Sequence, residues 1–284
     1  VKRRNEKKMS EPYGAHEAGI AYISESTYGE TPATPDMIEI ITAENVEPAI
    51  NPSLIKVRGI GSRDYQFIRK GLRQVDVKLS YALQNILLLD FVETLGSMSL
   101  EVWYEKTGGI ISLLHKGCRT ERATVQCSVE DVIKADVDLI GQNLVVGTAK
   151  IGNSYTPWSE NPVAFYESYV KKQAATLERV TDWKFVVENH LKRVPVIRTT
   201  DGDLLKYLQE RHRTITGEIT FEFETKEEFD DVINDTAFTL EIGLGSTNKA
   251  VFTDCKWDIV SSPTRIEDLV ALKAPFTAKS VTIS

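Results

Sequence analysis

Residues 73–92 read RQVDVKLSYALQNILLLDFV. The first part alternates, with Val75, Val77, Leu79, Tyr81 and Leu83 on one side and Asp76, Lys78, Ser80, Ala82 and Gln84 on the other. Then Ile86–Leu89 form an unbroken apolar block that runs into Asp90, Phe91 and Val92. Period two marks a half-buried strand, and apolar spacing of three and four marks a helix. The stretch predicts a strand leading into a short helix, apolar nearly all round, with Asn85 as its cap.

The unit recurs. Shifted by 140 positions it meets RTITGEITFEFETKEEFDDVI, residues 213–233. Ile215, Ile219, Phe221 and Phe223 fall on Val75, Leu79, Tyr81 and Leu83, and Phe229, Asp230 and Val232 on Leu89, Asp90 and Val92. SMSLEVWYEKT (97–107) then meets AFTLEIGLGST (237–247) in the same register. After a shift of three residues Cys118 falls on Cys255 and VEDVIKA (129–135) on IEDLVAL (266–272), while LIKV (54–57) matches LKRV (191–194) loosely upstream. Four collinear segments point to a duplicated, mainly β domain. In the second copy Thr225 and Glu228 have the spacing of a capping box, and Phe229, Val232 and Ile233 that of an inward apolar stripe.

GNSYTPWSENP, where Gly, Ser, Asn and Pro cluster, marks the boundary. The expected organisation is a flexible basic arm over 1–14, a first domain over 15–151, a linker over 152–162 and a second domain over 163–284. Two long loop-like regions occupy matching places, 58–71 and 197–212. They carry Arg58, Arg63, Asp64, Tyr65 and Phe67 in one copy and Asp201, Leu205 and Tyr207 in the other. Apolar side chains on such loops are costly unless they dock on something, so these residues are candidates for contacts between subunits or rings.

Composition narrows the class of function. A chain of 284 residues with 42% hydrophobic and 26% charged residues suits a globular protein with a sizeable core. A net charge of −7 disfavours a protein whose task is to grip nucleic acid phosphates. Cys118, Cys127 and Cys255 show no metal-ligand spacing and read as reduced thiols of a chain assembled in the cytoplasm. No apolar run is long enough to cross a membrane as a helix, and VKRRNEKKMS has no apolar region behind its basic start. The four histidines are scattered, Gly59-Ile60-Gly61 lacks the third glycine of a dinucleotide loop, and Asp201-Gly-Asp203 lacks the other ligands of a calcium loop. The acids Glu227, Glu228, Asp230 and Asp231 read as the solvated face of the second helix. The expectation is neither an enzyme nor a cofactor-binding protein.

The strand faces themselves remain. Lys78, Ser80 and Gln84 stand opposite the apolar side of the first-copy strand, and Glu218, Thr220, Glu222 and Glu224 opposite that of the second. Such faces, free of large apolar groups, suit the solvent side of a sandwich sheet or the lining of an aqueous channel.

IAYISESTYGETPATPD (20–36), followed by INPSLIKVRGIGSRDYQFIRKGLRQVDVKLSYAL, resembles the tail tube proteins of long-tailed bacterial and archaeal viruses. So does LERVTDWKFVVENHLKRVPVI (177–197) followed by RTITGEITFEF. The resemblance implies two tandem β-sandwich or partial-barrel domains, each flanked by one short helix. Their main sheets would join those of neighbours into rings, stacked into a tube for passage of viral double-stranded DNA. It implies a virion location after assembly in the host cytoplasm, with tape-measure, terminator and distal tail proteins as partners. Rings of the family are six-fold, so a duplicated chain favours a trimeric, pseudo-hexameric ring over a true hexamer. Lys78, Ser80, Gln84 and the glutamates would then face the lumen, where an acidic wall lets DNA slide. The competing readings are a duplicated carbohydrate- or protein-binding sandwich, which needs an exposed platform from Trp103, Trp158, Trp183 or Trp257, and another ring-forming tail component such as a terminator.

Overall fold

The computed structural model describes residues 12–262 and 270–284. Most of the basic arm and of the segment 266–272 therefore lies outside the described residues. The chain is mainly β, and the same succession of elements occurs twice. The first half runs β1 (Ala18–Ser24), β2 (Asp36–Glu39), β3 (Ala43–Asn51), β4 (Ile55–Val57), β5 (Phe67–Arg69), β6 (Gln74–Ala82), α1 (Asp90–Thr94), β7 (Met98–Lys106), β8 (Gly109–Ser128), β9 (Lys134–Gly141) and β10 (Asn143–Gly147). After β11 (Ser154–Pro157) come β12 (Val170–Lys172), β13 (Ala175–Thr176), β14 (Val180–Glu188), β15 (Lys192–Val194), β16 (Tyr207–Gln209), β17 (Thr214–Glu222), α2 (Glu227–Ile233), β18 (Phe238–Gly243), β19 (Lys249–Trp257), β20 (Ala271–Thr277) and β21 (Ser280–Ile283).

The two halves share irregularities as well as elements. Bulges fall between Ala43 and Asn45 and between Val180 and Asp182, then between Met98 and Leu100 and between Phe238 and Leu240. Left-handed backbone recurs at matched positions: Ser53 and His190, Gly61 and Asp201, Leu95 and Asp235, Gly117 and Asp254. L-residues enter that region at a cost. Its recurrence marks one backbone plan built twice.

One antiparallel sheet runs through both halves in the order β3, β6, β9, β8, β14, β17, β20. Strand β8 serves two layers. Up to Cys118 it pairs with β7, and from Arg119 onward it crosses to β9. Gly117 makes that corner at φ 64°, where a Cβ would stand 2.8 Å from Gln142 Cβ. In the second half β19 turns the same corner at Asp254 and pairs with β20 from Lys256. The second layer is thus β2, β1, β7, β8 and β10 in one half and β13, β12, β18, β19 and β21 in the other.

The core fills the space between the layers. Val75, Val77, Leu79 and Tyr81 of β6 and Ile215, Ile219 and Phe221 of β17 are buried, as their alternation predicts. Cys118 and Cys255 sit fully buried at matched corners, and burial pushes both thiols up. All four tryptophans are buried, which removes the aromatic platform of the binding-module reading.

Several local expectations are corrected. No capping box starts α2: Lys226 is its N-cap, without a side-chain hydrogen bond. Glu228 is fully buried instead, and Arg179 Nη2 donates to its carboxylate at 2.6 Å. Because Glu228 and the half-buried Asp231 occupy the inner face, with Lys172 and Trp257 Nε1 donating to Asp231, the supposed apolar stripe turns outward at Val232 and Ile233. Asn85 does not cap α1; its Oδ1 accepts from Leu87 N–H, one turn earlier. The expected linker is also part of the fold, since β11 pairs in parallel with β2 and Trp158 packs on Tyr22 and Tyr81. Glu101 holds this segment by accepting from Tyr155 OH, Ser112 Oγ and Ile151 N–H.

Candidate channel face and assembly edges

Because opposite residues of paired strands share a face, the outward side of the main sheet can be read across all seven strands. Lys78 stands between Glu47 and Asp138. Ser80 lies beside Asp136 and donates to its carboxylate at 2.5 Å. Glu218 stands opposite Lys184, and Thr220 opposite Asp182 and Lys273. Glu222 is exposed at the end of the same row. The carboxylates Glu47, Asp76, Asp136, Asp138, Asp182, Glu188, Glu218 and Glu222 outnumber Lys78, Arg122, Lys134, Lys184 and Lys273. The face is polar, acidic on balance and continuous from one half into the other.

Two sequence candidates leave it. Gln84 lies past the end of β6 and is buried, its Oε1 accepting from Thr42 Oγ1 and its amide donating to the Glu160 carbonyl. Glu224 is exposed but lies beyond β17, on the approach to α2. The neighbours that set the local charge, Glu47, Asp138 and Lys184, lie on strands distant in sequence, so alternation along one strand could not reveal them.

Both long loop-like regions form small hairpins, β4 with β5 and β15 with β16, paired in the same register. Their surroundings differ. The second-half hairpin is docked: Leu205 and Leu208 are buried against Ile140, with Tyr28, Leu72 and Leu95 around them. Gln142 Nε2 donates to the Leu205 carbonyl at 2.9 Å and Arg119 Nη1 to that of Leu208 at 3.2 Å. Asp203 accepts from Lys70 at 3.0 Å and Arg73 at 2.9 Å, and these cations hold its carboxyl below the usual range. Of the residues singled out here by sequence, Leu205 is in this contact while Asp201 and Tyr207 are exposed.

The first-half hairpin stands free. Arg58, Arg63, Asp64, Tyr65 and Phe67 are all exposed, together with Ile55, Val57, Ile60 and Ile68. Its internal order comes from the Arg58 guanidinium, 4.7 Å over the Tyr65 ring and donating to Tyr65 OH at 3.1 Å. No described strand other than β6 pairs with β3, so the sheet has a bare edge beside this hairpin. At the far end Asp258 N–H donates to the Pro275 carbonyl and Ser261 bridges Lys273, which carries the line of β19 along β20.

Among the described residues no group of three or more His, Cys, Asp or Glu side chains is placed to hold a metal ion, and no helix is long and apolar enough to cross a membrane. His190 stacks on His212 at 4.5 Å, with Thr214 Oγ1 3.1 Å from its Nε2. The chemistry of the molecule lies in its edges and faces.

No curated protein matches the chain in sequence. Among solved structures, a chain of the cryo-EM structure of the anti-feeding prophage baseplate, 6-fold symmetrised, is 12% identical, covering 50% of this chain and 99% of its own at a TM-score of 0.36. That likeness is too distant to bear on the argument. The phage tail tube protein family model matches residues 15–279, nearly the whole chain and both halves of the duplicated plan. The chain belongs to the phage tail tube protein family, whose members are structural proteins of the viral tail.

Proposed function

We propose that this protein assembles into rings of three chains, each ring presenting six copies of the repeated unit. The rings stack into a tail tube through which viral double-stranded DNA passes. The observation that carries the reading is the continuous polar face of the main sheet, which crosses from one half into the other through the β8–β14 pairing. In a ring this face is the lining, with Lys78, Ser80, Glu218, Thr220 and Glu222 towards the lumen. DNA that must slide is poorly served by a basic wall, because each neutralised phosphate adds to the grip. A wall of mixed charge with an acidic balance keeps the duplex hydrated and free to move.

Closing a ring also deals with the β3 edge, which no described strand other than β6 pairs with, since an open edge invites uncontrolled pairing. The exposed β4–β5 hairpin is the natural part to reach another subunit. On this reading assembly takes place in the host cytoplasm, with tape-measure, terminator and distal tail proteins meeting the ends of the tube.

The test is electron microscopy and mass measurement of the purified protein. Rings or tubes with an open channel, whose mass grows in units of three chains, are the expected result. A monomer at all concentrations would sink the reading, and growth in units of six chains would remove its trimeric part.

A further inference from the structure

The seam between the two halves of one chain is itself a fully described interface. Strand β14 pairs with the far part of β8, from Asp182 opposite Ser128 to Glu188 opposite Arg122. Beyond it, Leu191 N–H donates to Glu121 at 2.7 Å, and the β15–β16 hairpin lies over the first half. The paired strands of this seam have counterparts at the ends of the chain, as far as the described residues reach, while the apolar surface under the hairpin changes: Leu95 and Ile140 answer to Asp235 and Thr277. Strand β3 corresponds to β14, down to its bulge. The β4–β5 hairpin corresponds to β15–β16 in length of strand and register. Asp258–Ser262 corresponds to the far part of β8. Thr120 opposite Leu139 matches Trp257 opposite Phe276, and Thr124 opposite Asp136 matches Ser261 opposite Lys273. Asp258 falls at the position of Glu121, which keeps a carboxylate where Leu191 N–H finds its acceptor.

What differs is cover. Val187 is 1% exposed and its counterpart Ile50 49%, while Leu205 and Leu208, at 0% and 2%, answer to Tyr65 and Ile68 at 41% and 58%. Ile259, on the opposite end of the chain, is exposed as well. The apolar groups buried by the seam within the chain are thus bare where the seam has no second half.

From this we infer that the seam is repeated between chains. Strand β3 of one copy pairs antiparallel with Asp258–Ser262 of a second copy, Ala49 opposite Ser261 and Asn51 opposite Ile259. The β4–β5 hairpin then lies over the second half of that neighbour as β15–β16 lies over the first half of its own chain. The occupant of the bare edge is another copy of this chain because the strand line that covers the internal edge recurs, in the same register, at Asp258–Ser261. Repetition of one head-to-tail contact closes a ring when the rotation permits. The inference rests on the tube reading and adds to it the strands, the register and the hairpin that make the joint.

Cysteine pairing tests the register. The native cysteines are buried, so Ala49→Cys with Ser261→Cys places thiols on opposite residues of the proposed joint, within the Cα separation that a disulfide spans. Assembly is first checked under reducing conditions. Mild oxidation is then expected to convert the assembled protein to covalent dimers and closed trimers, with yield at least fivefold above that of Ala49→Cys with Ile259→Cys, which stands two residues out of register. Rings that form without this cross-link, or with equal yield from both pairs, overturn the inference and leave the tube reading standing. Failure to form rings at all overturns both. A second variant, Ile68→Ser, changes a side chain that is exposed in the single chain and lies outside the Arg58–Tyr65 contact. Its melting temperature is expected to stay unchanged while the concentration needed for assembly rises at least tenfold. Unchanged assembly would show that the hairpin does not dock.

Discussion

Replacing Arg179 by Met tests the most consequential departure from surface expectations, the inward turn of Glu228. The Glu228 carboxylate is fully buried, and Arg179 Nη2, 2.6 Å away, is its charged partner. The guanidinium in turn lies 5.0 Å from the centre of the Phe221 ring, in the core of the second half. Removing the arginine leaves a buried negative charge with no counter-charge, which costs about 3–5 kcal/mol. At roughly 2–4 °C per kcal/mol for a domain of this size, the melting temperature should fall by about 6–20 °C. Arg179→Met with Glu228→Met removes both charges together and should recover most of the loss, because a well-packed apolar pair replaces a desolvated ionic one. Calorimetry of the wild type, the two single variants and the double variant measures the coupling directly. A loss below about 1 kcal/mol for Arg179→Met would match an exposed ion pair and refute the burial argument.

Four further outcomes follow from particular contacts. His115 is buried with its Nδ1 3.3 Å from the Leu100 carbonyl, and desolvation lowers its pKa to about 4. The unfolded chain takes up this proton near pH 6.5 and the folded one only near 4, so His115 contributes a loss of about 3 kcal/mol as pH falls across that window and nothing above it. Denaturant titrations of His115→Gln should therefore show a shallower decline between pH 6.5 and 4. Trp158→Ala should cost about 3–5 kcal/mol by thermal melting, since the indole packs on Tyr22 and Tyr81 in the first-half core; a cost under about 1 kcal/mol would mean a loose linker. At the matched corners, Gly117→Ala should destabilise by about 1–3 kcal/mol, as the new Cβ meets Gln142 at φ 64°. Asp254→Gly should stay within about 1 kcal/mol of the wild type, because it relieves left-handed strain while adding freedom to the unfolded chain.

The strands were legible where one face is buried and the other wet. The alternation in β6 and β17 gave both their type and their inward residues, because period two has only one way to satisfy a one-sided core. The repeat was legible for the same reason, its apolar positions being kept in register while the polar ones drifted. Glu228 was not legible, since the cation that permits its burial, Arg179, sits just before β14 and becomes its neighbour only after folding. The acid therefore read as surface, and Val232 and Ile233 as core, when the reverse holds, while Phe229 does pack on the core as expected. Gln84 misled in a related way: strict alternation continues through it in sequence, but the strand has ended and its amide is used by Thr42 and Glu160. The hairpins show the remaining limit. Leu205 and Tyr65 occupy equivalent places in matching hairpins, and only the placement of the neighbouring half makes one buried and the other bare.

The central claim is that the outward face of the main sheet lines a channel built from three duplicated chains. A cryo-EM map of the assembled protein at side-chain detail tests it most directly. The account predicts three-fold rings with pseudo-six-fold walls, with Lys78, Glu218 and Glu222 pointing into the lumen. A map that puts those side chains on the outer wall, or buries them between subunits, contradicts it.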